Sequence, residues 1–351
     1  MHITRLLTGA VTVLGVLALT ACSAGAGFTG SAEVDTSSGT VTIGYFPNVT
    51  HAPAIVGLAD GEYRRALGGG VTIKTATFNS GTEEVEALFA GSIDIGFIGP
   101  SPTVTAWQKS DGRALKVIAG AAAGGVDLVV RAGIHSAAEL KGKTIATPSL
   151  GNTQDVAARY WLRGHGFTTD AQGGGDVHIE PQDNASALTA LQTGAIDGAW
   201  VPEPWATRMV DEAGAHVLVD EADLWPDRLF VTTNVVVRTD FLAQHPKEVG
   251  AFLRGLLATL DAMKKDPAAA QRTVATEIGA LSGSRPKVSE LASSWKNVVF
   301  TADPLAGTLA VQAQHATGLG LLPKTDLAGL YDLAPLNALL TARGDRPVAG
   351  R

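Results

Sequence analysis

One stretch of this 351-residue chain occurs twice. Ala87-Leu88-Phe89-Ala90-Gly91-Ser92-Ile93-Asp94-Ile95-Gly96-Phe97-Ile98-Gly99-Pro100-Ser101-Pro102 returns as Ala190-Leu191-Gln192-Thr193-Gly194-Ala195-Ile196-Asp197-Gly198-Ala199-Trp200-Val201-Pro202-Glu203-Pro204-Trp205, displaced by 197 − 94 = 103 residues. Each copy reads as a helix stopped by glycine, an Ile-Asp entry to a short buried strand, and a Pro-rich turn. A spacing of this size is that of two domain-sized units. Open α/β sheets bind ligands beyond the carboxyl ends of their strands. Two such edges predict two similar lobes facing one cleft.

The N-terminus predicts a compartment. Arg5 precedes an apolar run from Leu6 to Leu19, which is short for a membrane span, and small residues then lead to Cys22. Residues 1–21 read as a signal peptide, and Cys22, the only cysteine, excludes an intramolecular disulfide. Residues 22–40 are rich in Ser, Gly, Ala and Thr and read as a flexible tether. Gly25, Gly27 and Gly30 match GxGxxG in form, but no strand precedes them and no helix follows, so a dinucleotide site is not expected. The formal charge is −7, and Lys and Arg are scattered without a basic face, which argues against nucleic-acid binding.

Along the body, Val41–Phe46, Val71–Phe78 and Ile93–Ile98 read as strands, with helices at Ala52–Arg65 and from Ser80 to Gly91. A second alternating unit follows from His135, with strands at 177–180, 196–200, 217–219 and 231–238. Residues 246–265 form an amphipathic helix, and 274–340 read as helix-rich. The expected fold class is α/β: two lobes, each a mostly parallel sheet flanked by helices, joined by two crossover strands. Residues 41–126 and 235–351 would form lobe 1, and 127–234 lobe 2.

The chain resembles the substrate-binding proteins of ATP-driven (ABC) importers for sulfonates, taurine and nitrate. The resemblance runs from Val41 to about Leu322 and rests on the order of several short pieces. They are Ala138-Glu139-Leu140-Lys141-Gly142-Lys143, Gly91-Ser92-Ile93-Asp94, Gly99-Pro100-Ser101-Pro102, Gly194-Ala195-Ile196-Asp197-Gly198-Ala199, Glu203-Pro204-Trp205, and Arg238-Thr239-Asp240-Phe241 with His245-Pro246. It implies a hinged type II periplasmic-binding-protein fold, a ligand enclosed between lobes, no catalysis, and delivery to a membrane permease. A lone cysteine behind small residues resembles a bacterial lipobox, which implies export and anchoring to the cell membrane by acylation of Cys22. The ligand expected first is an aliphatic sulfonate, taurine included; nitrate, bicarbonate or a pyrimidine vitamin precursor are alternatives. A monomer without cofactor or metal is expected.

Five loops after strands are candidates for the site. The first offers Phe46, Asn48 and His51, although Asn48 also suits a turn and His51 a helix start. The second offers Pro100 and Ser101 at a helix N-terminus, a place that suits anionic oxygens. The third offers Ser149, Gly151, Asn152 and Thr153, either as donors to ligand or as caps; family members place anion contacts in the matching loop. In the fourth, Trp205 could wall the ligand, while Glu203 requires a ligand cation, a partner such as Arg208, or solvent. The fifth is Thr232-Thr233-Asn234 at the second crossover, with Asp127 near the first; both could touch ligand or tie the hinge. Trp200 and Trp205 are expected to flank the cleft.

An enzyme is disfavoured. GxSxG, HExxH and GxxxxGK[ST] are all absent. Enzymes of pyrimidine synthesis share the expected fold but carry a cysteine-rich segment that this chain lacks.

Overall fold

The computed structural model describes residues 39–350. The expected signal peptide, Cys22 and nearly all of the tether lie outside the described residues. Gly39 and Thr40, read from sequence as tether, already belong to the first strand.

The chain opens with β1 (Gly39–Tyr45), α1 (Ala52–Ala59), α2 (Glu62–Leu67), β2 (Val71–Thr77), α3 (Gly81–Phe89), β3 (Ile95–Ile98) and α4 (Pro100–Lys109). Next come β4 (Leu115–Gly124), β5 (Val126–Val130), β6 (Thr144–Thr147), α5 (Thr153–Gly164), β7 (His178–Pro181) and α6 (Asn184–Thr193). They are followed by β8 (Gly198–Pro202), α7 (Trp205–Ala213), β9 (His216–Asp220), β10 (Val231–Arg238), α8 (Thr239–Gln244) and α9 (Pro246–Lys265). The remainder is α10 (Pro267–Ser282), α11 (Val288–Asn297), β11 (Val298–Phe300), α12 (Ala306–Gly318) and α13 (Ala334–Ala342). No helix among the described residues is long and apolar enough to cross a membrane.

These strands form two sheets, ordered β11-β4-β10-β3-β1-β2 and β7-β6-β8-β5-β9. Without the edge strand β11, the first sheet matches the second position for position: β2, β1, β3, β10, β4 against β7, β6, β8, β5, β9. In both, three parallel strands are followed by an antiparallel one, β10 or β5. Four of the five matched strands in each sheet therefore run one way and one runs against them. The antiparallel members are the strands on which the chain arrives from the other sheet, so they run against the strands already there.

The chain first crosses at Gly124-Gly125, both in the left-handed region at φ 69° and 68°. Side chains there would press on Asn297 O and Val298 Cγ2, at 2.9 and 2.4 Å, so the crossing fits only residues without a Cβ.

Four apolar clusters cover the sheet faces. Two flank the first sheet, one with α1, α2, α9 and α10 and one with α4 and α12. Two flank the second, one with α5 and one with α6 and α7. Local chemistry sets the helix ends: Ser80 Oγ accepts from Glu83 N–H at α3, and Gly194 at φ 76° stops α6. The expected helix 52–65 is broken by Gly61, at φ 77°, into α1 and α2. In the tail, Val298–Phe300 leaves the helical pattern to pair with β4.

Candidate ligand cleft

A small polar cavity lies where the carboxyl ends of six parallel strands converge. Beyond the first sheet it is lined by Phe46, Asn48, Thr50 and His51 after β1, Asn79 after β2, and Gly99 after β3. Beyond the second it is lined by Pro148, Asn152, Thr153 and Gln154 after β6, Asn184 after β7, and Pro202 of β8; Thr232 completes it from β10. Its volume is about 20 Å³, room for about one water.

The two sets of loops touch on both sides of this cavity. On one side Ser101 N–H of α4 donates to Thr153 Oγ1 of α5 at 3.4 Å. On the other, Trp205 Nε1–H donates to Asn48 Oδ1 at 2.8 Å and Val49 N–H donates to Glu203 O at 3.0 Å. Ser101 and Asn152 thus belong to one shared site between the sheets.

The lining contains no Lys, Arg, Asp or Glu. Burial pulls the His51 imidazole down to about 3, so it is neutral at ordinary pH. Its Nδ1 accepts from Phe46 N–H at 3.3 Å, which leaves the proton on Nε2, and its ring stacks on Phe46 at 4.4 Å. What the site offers an oxyanion is side-chain O–H and amide N–H groups and the starts of α4 and α5. At α6 the N–H groups of Ala185 and Ser186 already donate to Asp183 Oδ1, and at α5 Thr153 N–H donates to Asn152 Oδ1. The buried oxygens Ser101 Oγ, Ser149 Oγ and Asn184 Oδ1 have no hydrogen-bond partner among the described residues.

Of the residues singled out from sequence, Phe46, Asn48, His51, Asn152 and Thr153 line the cavity together. Pro100 lies buried at the start of α4, and Ser149 precedes the α5 cap. Ser101 and Gly151 line a neighbouring groove. Trp205 is buried with its indole spent on Asn48. Asp127 and Asn234 lie within buried strands rather than in the lining. Burial, then the neighbouring Glu203, Asp220 and Glu221, push Asp127 up to about 8. Asn234 is fully buried and neither atom of its amide has a partner among the described residues.

Glu203 needs neither a ligand cation nor Arg208. It is fully buried beside a cis Glu203–Pro204 peptide. Its Oε1 accepts from Thr207 Oγ1 at 2.8 Å and Asn297 Nδ2 at 2.7 Å, and its Oε2 from Thr207 N at 3.1 Å and Ser294 Oγ at 3.0 Å. Burial raises its pKa and these donors hold part of the rise back. Arg208 instead pairs with Glu212 at 2.7 Å. Trp200 also departs from expectation: it sits in the core of the second sheet, donating to Glu221 Oε2 at 2.7 Å, and does not flank the cleft.

Asn79 and Asn184 are lining residues that the sequence reading does not single out, and Thr232 is the member of the fifth loop that reaches the cavity. Asn79 and Asn184 each stand directly before or at a helix start that follows a strand, the same local pattern that singled out Asn152.

A model of the NMT1-like family matches residues 35–279, more than half of the chain. The chain belongs to the NMT1-like family. A taurine-binding periplasmic protein of Escherichia coli (strain K12) is 29% identical over 220 residues, 62% of this chain and 64% of that protein. A protein of Brucella abortus (strain 2308) described as a binding protein is 31% identical over 182 residues, 51% of this chain and 54% of its own length. The chain therefore spans about half the length of the first curated relatives it matches. Among solved structures, the alkanesulfonate-binding protein SsuA of Xanthomonas axonopodis pv. citri, bound to MOPS, superposes with TM-score 0.71 at 19% identity, covering 84% of this chain and 98% of that one. The periplasmic nitrate-binding protein NrtA of Synechocystis PCC 6803 gives 0.72 at 15% identity, covering 87% and 89%. This NMT1-like chain has the two-lobed periplasmic-binding-protein fold.

Proposed function

We propose that this chain is an extracytoplasmic solute-binding protein, anchored through Cys22, that captures a small anion between its lobes and delivers it to an ABC permease. It acts by binding, as a monomer, and carries out no catalysis. Lobe 1 is residues 41–126 with 235–351, and lobe 2 is 127–234. The observation that carries the reading is the cavity itself, where six strand ends from two sheets present neutral donors and helix starts and no carboxylate. Contacts from both lobes let ligand stabilise the closed arrangement.

Taurine or another aliphatic sulfonate is the proposed ligand, in keeping with the named ligands of the Escherichia coli and Xanthomonas proteins. A nitrate- or bicarbonate-sized anion is the second reading, favoured by the free volume of about 20 Å³. Calorimetric titration of the chain with taurine, ethanesulfonate, nitrate and bicarbonate tests both. One of them binds one-to-one, and Asn152→Ala weakens it about tenfold, ~1.4 kcal/mol. Absence of binding by all four, or affinity untouched by Asn152→Ala, rejects this cleft.

A further inference from the structure

A second cavity, about 830 Å³, shares no lining residue with the polar cleft. Its walls come from elements packed on both sheets. The α5 helix supplies Tyr160 and Trp161, the 3-10 turns between β9 and β10 supply Glu221 and Trp225, and α12 supplies Val311 and His315. Three of the rings pack together: His315 stacks on Tyr160 with centroids 3.5 Å apart and lies 5.8 Å from Trp225, which is backed by the buried Phe230 at 5.6 Å.

Two observations point to a ligand. First, apolar exposure gathers here: Tyr160, Leu224 and Val311 are 38%, 48% and 37% exposed, three of the nine large apolar side chains exposed among the described residues. Single exposed apolar residues are ordinary, but a cluster around a cavity marks an interaction site. Second, the walls carry two carboxylates, beside His165 and His315. Glu221 and Asp303 line the cavity, while no Lys or Arg does. The Thr308 hydroxyl is already spent, donating to Leu305 O at 2.9 Å. Burial and nearby Arg163 lower His315 to about 4, so it adds no positive charge. Arg163 lies over the Tyr160 ring at 5.2 Å, held by Gly318 O, but does not line the cavity. The lining's ring faces and carboxylates complement a positively charged aromatic guest, and the volume suits one.

We propose that this cavity is a second ligand site, separate from the anion cleft, that takes a flat aromatic molecule carrying a protonated amine. The rings flank the guest's ring and Glu221 accepts from its ammonium. Burial pushes Glu221 up to about 7, and an arriving cation favours its carboxylate form.

Calorimetric titration of the chain with tryptamine, and with indole-3-propionate as the same ring bearing the opposite charge, tests the proposal. Tryptamine binds one-to-one and about tenfold or more tighter than the acid. Glu221→Gln and Tyr160→Ala each weaken it about fivefold or more, and Asn152→Ala leaves it unchanged. Tyr160 is partly exposed, so its variant keeps the fold, which circular dichroism verifies. The proposal is overturned if tryptamine fails to bind, if amine and acid bind alike, or if Asn152→Ala costs as much as Tyr160→Ala, which would place the amine in the cleft. Self-association abolished by Tyr160→Ala without amine binding also overturns it and assigns the patch to a second copy.

Discussion

The two copies of the repeat agree where their strands begin and part company where they end. In the first, Asp94 N–H donates to Thr42 O at 2.9 Å while Thr42 N–H donates to Asp94 Oδ2 at 2.8 Å. In the second, Asp197 and Thr144 repeat the exchange at 2.8 and 2.9 Å. The main-chain oxygen of each aspartate also accepts an N–H from the arginine that ends β10 (Arg238) or follows β5 (Arg131), and its carboxylate pairs with that guanidinium at 3.6 or 2.6 Å. The Ile-Asp entry is thus a clamp that ties three neighbouring strands. At the other end, Gly99 leads straight into α4, whereas Pro202 leads into the buried Glu203 and its four donors.

A second difference lies inside the sheets. Gly44 pairs with Gly96 in the first sheet, and Ala146 with Ala199 in the second. The residue of α3 near that glycine pair is Glu84, and its counterpart at 84 + 103 is Ala187. A Cβ on Gly44 or Gly96 would meet Glu84 Oε1 at 2.8 or 2.6 Å. A long side chain over two glycines occupies the space that three alanines share in the other copy. The exchange conserves volume but buries a carboxyl whose oxygens have no partner among the described residues.

The clamps should respond most to change. Asp94→Ala and Asp197→Ala each lose hydrogen bonds to a charged acceptor and are expected to cost about 2–3 kcal/mol in urea unfolding. Unequal losses would break the equivalence of the copies. Next, Gly96→Ala is expected to cost about 1–2 kcal/mol by overpacking, and much less when combined with Glu84→Ala. A double-mutant cycle without coupling would show that the two positions do not share space.

Glu84→Gln changes a slope rather than a level. Burial raises the folded pKa of Glu84 well above its ordinary value. Its contribution to stability is therefore present below about 4.5 and lost as pH rises towards the folded value. Melting temperature against pH should fall less steeply above pH 5 in the variant than in the parent. Smallest of all, Arg131→Gln and Arg238→Gln should each cost about 0.5 kcal/mol or less, because their ion pairs are partly solvated. A larger loss at either would move the clamp's strength from the aspartate to the arginine.

Features fixed by near neighbours in sequence were legible. The helix-stop glycine, the Ile-Asp entry and the apolar strand are all contained in one short stretch, and β10 was read at its full extent, 231–238. The surroundings of Glu203 were not, because Ser294 and Asn297 stand 91 and 94 residues away. At the second crossover the tripeptide Thr232-Thr233-Asn234 is legible, but which of its members faces the cavity is not: Thr232 lines it and Asn234 does not. Register irregularities between Val231, Thr233 and Asn234 break the simple alternation from which facing is read. The aromatic cavity is not legible in the sequence, because α5, the turns after β9 and α12 each look locally like an ordinary buried face.

The clamps lie one strand length from the polar cavity, about 13 Å for a four-residue strand. Residues 46–51, 99–102, 148–154 and 202–205 can accordingly be treated as exchangeable cassettes on a fixed chassis. Grafting those segments from a relative should transfer its ligand preference while leaving the host's unfolding midpoint nearly where it was, the Glu203 segment being the one graft that must travel with Ser294 and Asn297.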